Sequence, residues 1–156
     1  MSEWSSAVTQ VPAELLLADG SMLRGDLHVQ ARSRHGARAE TPTEFLNRSE
    51  PFFAITGRDG GVLLIARAQV AVVTVASRHV LEPPDRDRME AAVALELAVT
   101  LAGGSELRGR ARAELPPGSS RAIDYLNAAG PFFVLAADDD IRFVNRAHVR
   151  LVRPLQ

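Results

Sequence analysis

Apolar residues at Val11, Ala13, Leu15 and Leu17 alternate with polar or smaller ones, which is the period of a strand with one buried face. The same alternation returns at Leu95, Leu97, Val99 and Leu101. Each run stops at a glycine turn, "ADG" or "AGG", and then resumes at Leu23, Gly25, Leu27 and Val29 and at Leu107, Gly109, Ala111 and Ala113. Two hairpins are predicted. Gly25 and Gly109, both in mid-strand, predict a sharp bend or a close approach of another backbone.

Set against itself, the chain repeats. "VPAELLLADGSMLRGDLHV" (11–29) aligns with "LELAVTLAGGSELRGRARA" (95–113), "TPTEFLNRSEPFFAIT" (41–56) with "RAIDYLNAAGPFFVLA" (121–136), and "IARAQVAVV" (65–73) with "VNRAHVRLV" (144–152). Thr41, Pro42 and Glu44 have the spacing of a capped helix start; in the second copy Asp124 is kept but Arg121 replaces the capping threonine. Three further strands follow in each copy: "FFAIT", "VLLIAR" and "VAVVTV", then "FFVLA", "IRFVNR" and "VRLVRP". The predicted fold class is mainly β, with two tandem repeats. Each repeat reads as a five-stranded SH3-like or Sm-like small barrel with a short helix between strands 2 and 3. The boundaries are an N-terminal extension at 1–10, a first repeat at 11–76, a charged, proline-bearing linker at 77–91 and a second repeat at 92–156.

"VTLAGGSELRG" resembles the first motif of Sm-like proteins, and "FVNRAHVRLV" is similar to their second. The resemblance implies a small barrel and, for Arg67 and Arg146 beside the last turn, a place near an RNA pocket. The Asp and Asn by which that family's first motif holds RNA have no counterpart here, and a helix interrupts the middle of each copy. Arg34 and Arg38 reproduce the R-x-x-x-R spacing of PilZ-type cyclic-dinucleotide receptors. The same spacing recurs at Arg108 and Arg112 and at Arg142 and Arg146, so it distinguishes little.

Composition narrows the choice. The 18 basic residues, all arginine, nearly balance 19 acidic ones for a formal net charge of -1, so a nucleic-acid or anionic-membrane partner would need a local patch. The chain has no cysteine, which removes disulfides and thiol chemistry. Its start lacks the pattern of a secretory signal, and its apolar runs are shorter than the roughly 20 residues of a membrane helix. A cytoplasmic protein is the default reading.

Adjacent strand residues face opposite ways, so Phe52-Phe53 and Phe132-Phe133 cannot both lie in one core. With Phe45 and Tyr125 they form the candidate partner interface, the outward member of each pair being covered by the helix or by another repeat or subunit. Asn47 and Asn127 read as left-handed helix caps. Arg108, Arg110 and Arg112 form a row on one strand face, either solvated or offered to an acidic ligand. The serines, the four histidines and the Asp138–Asp140 run show no catalytic or ligating spacing, so no enzyme, cofactor or metal site is predicted. The leading expectation is a non-enzymatic adaptor or assembly protein that binds a protein partner and self-associates. Sm-like RNA binding is the alternative, and a cyclic-dinucleotide receptor the second.

Overall fold

The computed structural model describes residues 8–30, 40–80, 93–113 and 121–155. The chain is mainly β. Ten strands form one antiparallel sheet: β1 (Val8–Leu17), β2 (Met22–Gln30), β3 (Phe52–Gly57), β4 (Val62–Ala66), β5 (Val70–Ala76), β6 (Val93–Leu101), β7 (Glu106–Ala113), β8 (Phe132–Ala137), β9 (Asp140–Asn145) and β10 (Val149–Leu155). Helices α1 (Pro42–Leu46) and α2 (Ala122–Ala128) fall between the second and third strands of each half.

Across the sheet the order is β10-β6-β7-β8-β9-β5-β1-β2-β3-β4. Numbered within its own half, each set runs fifth, first, second, third, fourth, so the duplication in sequence is also one in topology. Where the pattern predicted two small barrels, the strands lie in a single open sheet. The halves join edge to edge through β5 and β9, from Val72 opposite Val144 to Ala76 opposite Asp140. The composition of β5 gives the reason: Val70, Ala71, Val72, Val73 and Val75 are all buried, and a strand apolar on both faces is stable only when covered on both. β1 starts at Val8, and Ser77–His79 forms a 3₁₀ turn closing β5.

Each half lends side chains to the other's core. The first core gathers Leu15, Leu27, Phe45, Ile55 and Val73 around Phe132, Ile141 and Phe143 of the second half. The second gathers Leu97, Val99, Phe133 and Leu135 around Ala71 and Val72 of the first half. Each fully buried Phe, Leu or Val contributes about 1.5–3 kcal/mol, so the shared residues tie the halves into one cooperative unit.

Local signals explain the elements. A Cβ on Gly25 would lie 2.6 Å from the Thr56 carbonyl oxygen, and one on Gly109 2.7 Å from that of Ala136, which is the close approach the mid-strand glycines predict. At α1 the Thr41 hydroxyl accepts from the Glu44 N–H while the Glu44 carboxylate accepts from the Thr41 N–H, with Pro42 opening the helix. Arg121 caps α2 with no side-chain bond and pairs with Asp124 instead.

Candidate interaction surface

The joint between the halves shows what one of these sheet edges requires. Asn47 follows α1 with φ -94°, not the left-handed value read from its sequence position, and its side chain reaches across the joint. Its Oδ1 accepts from the Phe132 N–H at 2.8 Å and its Nδ2 donates to the Phe132 carbonyl at 3.4 Å, clamping the start of β8. Asn145 Nδ2 donates to the Val70 carbonyl at 2.9 Å, and His148 Nε2 donates to the Ala68 carbonyl at 2.7 Å. Asn47 is thus the C-cap of α1 that its place predicts, and only the left-handed conformation is corrected. For Asn127 the cap position itself is corrected, since that residue lies within α2, whose C-cap is Ala129.

The candidate aromatic residues separate sharply. Phe53 meets Phe45 edge to face at 5.3 Å, and Phe133 meets Tyr125 the same way at 6.3 Å, so in each half the inward phenylalanine packs under its own helix. Phe132 is 2% exposed and sits in the first half's core. Phe52, its repeat counterpart, is 59% exposed. Among these aromatics only Phe52 remains open to a partner. Beside it on the same face of the β3–β4 hairpin, Val62 is 62% and Leu64 72% exposed. Their counterparts Ile141 and Phe143 are buried in the joint.

Tyr125 accepts from the Val134 N–H and donates to the Val134 carbonyl, both at 3.1 Å. Burial pushes its phenol above the usual pKa of about 10, with the Val134 bond opposing. Because the folded-state pKa is the higher one, this contribution is complete below about pH 10 and is lost as pH rises through the folded value. As the chain's single tyrosine, Tyr125 can be titrated by phenolate absorbance. A midpoint above that of a free tyrosine is expected, and an ordinary midpoint would contradict its burial.

The arginines divide in the same way. Arg67 is 8% exposed; its Nε donates to the Glu50 carbonyl at 2.7 Å and its Nη1 to those of Phe45 and Leu46 at 3.0 Å each. Its guanidinium also lies 4.9 Å from the Phe53 ring centroid. Burial, helped by nearby Arg48, pushes its pKa below the ordinary value. Arg146 repeats one of these bonds, from Nη1 to the Leu126 carbonyl at 2.9 Å. Both therefore hold the chain after a helix. Arg108 pairs with Glu106 at 3.1 Å, and Arg110 stands directly opposite Glu96. Arg112 lies in β7 opposite Ala94. Arg34 and Arg38 lie outside the described residues.

No group of acidic or histidine side chains fit to hold a metal occurs among the described residues. Asp138 and Asp139 form the two-residue turn of the β8–β9 hairpin, where Asp138 has φ 53°. An open cleft of about 540 Å³ lies between Glu14, Asp26, Arg58 and Asp140, with Arg24 already paired to Glu14 at 2.8 Å. Among the described residues no helix is long and apolar enough to cross a membrane. Compared with protein-family models, curated proteins and solved structures, the chain matches none.

Proposed function

We propose that this is a non-enzymatic assembly protein built of two tandem repeats, Sm-like or SH3-like in strand order, which binds a protein partner through the free edge of its first repeat. One observation carries the reading: Phe52, Val62 and Leu64 are exposed on the β3–β4 hairpin, whereas Phe132, Ile141 and Phe143 at the matching places are buried by a neighbouring unit. The surface that one repeat uses for contact is thus displayed, unfilled, by the other. β4 is also an uncharged edge strand, which accepts a partner strand by β-augmentation.

The RNA reading has less support. Its principal residue, Arg67, is buried and holds three backbone carbonyls through its Nε and Nη1 groups. A photo-crosslinking amino acid in place of Phe52, irradiated in cells, is expected to yield protease-sensitive adducts that the same group at Arg110 does not. Adducts sensitive to nuclease, or none at all, would contradict the proposal.

A further inference from the structure

The β5–β9 joint brings together two unlike edges, the fifth strand of one repeat and the fourth strand of the other. The sheet ends on the same two kinds of edge: β4, the fourth strand of the first repeat, and β10, the fifth strand of the second. We propose that two copies of the chain dock by repeating this joint, β4 of one against β10 of the next. The proposal rests on the assembly reading above and names its partner, a second copy.

The register of the joint supplies the pairing. Within the chain Val72 faces Val144, Val73 faces Phe143 and Val75 faces Ile141. At the corresponding places of the repeat these become Leu151 opposite Ile65, Val152 opposite Leu64 and Pro154 opposite Val62, all apolar. Of the other two pairs, Thr74 with Arg142 becomes Arg153 with Leu63, so one arginine is kept but changes strand, and Ala76 with Asp140 becomes Leu155 with Gly61.

Two of the polar fastenings are retained as well. Asn127 stands where Asn47 clamps the backbone of Phe132, and it is exposed, while Phe52 offers the equivalent backbone on the other copy. Gln69 stands where His148 donates to Ala68, and its amide can donate to the Ala147 carbonyl. Ala66 replaces Asn145 and loses that bond, and Pro154 brings no N–H to the ladder. The contact between copies is therefore weaker than the one within the chain and depends on concentration. Because it joins unlike edges, it propagates head to tail into rings or open chains.

Light scattering on the purified chain over a range of concentrations tests this. Masses rising above that of the 16.8 kDa monomer are expected, and Leu64→Asp on β4 and Asn127→Ala beside β10 should each shift the equilibrium toward monomer with an unchanged thermal transition. In a mixture of isotope-labelled and unlabelled copies, a photo-crosslinker at position 52 should join that site to residues 121–155 of the other copy. A monomer at every concentration, or an oligomer indifferent to Leu64→Asp, overturns the proposal. If the purified chain stays monomeric while position 52 still captures a different protein in cells, the second copy is ruled out and the assembly reading stands. Absence of protein adducts in both settings sinks both.

Discussion

Phe132→Ala is expected to lower the free energy of unfolding by about 3–5 kcal/mol, whereas Phe52→Ala, at the matching place of the first repeat, should change it by no more than about 0.5 kcal/mol. The two residues occupy the same word, P-F-F, and the same strand position. They differ only in what covers them. Phe132 is buried among first-half residues and its backbone is held by Asn47, so truncation opens a cavity in a core shared by both halves. Phe52 faces outward and leaves no cavity. Domains of this kind have total stabilities of about 5–15 kcal/mol, so the first change removes a large fraction of the whole. Denaturant unfolding of both variants in dilute solution checks the contrast. Equal effects at the two positions would mean that the halves do not share a core.

Arg67→Leu is expected to cost about 3–5 kcal/mol, the penalty for removing one member of a buried charged hydrogen-bond set. The leucine fills part of the volume but leaves the carbonyls of Phe45, Leu46 and Glu50 without their donor where α1 hands over to β3. Arg67→Lys should recover only part of the loss, since a single ammonium lacks the planar fork that reaches several acceptors at once. Arg146→Leu should cost less, because Arg146 is exposed and makes a single such bond. Thermal or denaturant unfolding of the three variants measures the ranking. A mild Arg67→Leu with lost ligand binding would instead assign the arginine to a surface site.

The elements were legible in the chain because their causes are local. Alternation marked the strands, Thr41-Pro42-Thr43-Glu44 marked α1, and Gly25 and Gly109 marked the places where Thr56 and Ala136 press in. The joint was harder to read because its causes are remote. Asn47 caps α1, but nothing near it in sequence announces that Phe132, 85 residues away, arrives to use its side chain. Face alternation showed that one phenylalanine of each pair must leave its own core, but not that Phe132 would be covered and Phe52 left open. The signal lay in the unequal copies "VAVVTV" and "VRLVRP": only the first can be buried on both faces, so only β5 could take the inner place and β10 was left at the rim. Repeat comparison emphasises what two copies share, whereas their different surroundings are written in what they do not.

The central claim is that the two repeats of one chain are joined through β5 and β9 in a fixed register. Thr74 and Arg142 are direct Cα partners across that joint, and the natural chain has no cysteine to compete. Opposed residues of an antiparallel pair have Cα atoms about 4.5–5.5 Å apart, within the span a disulfide accepts. The Thr74→Cys, Arg142→Cys double variant, oxidised and run on a non-reducing gel, should form a disulfide within a single chain. Failure to close, or a bond only between chains, would contradict the joint.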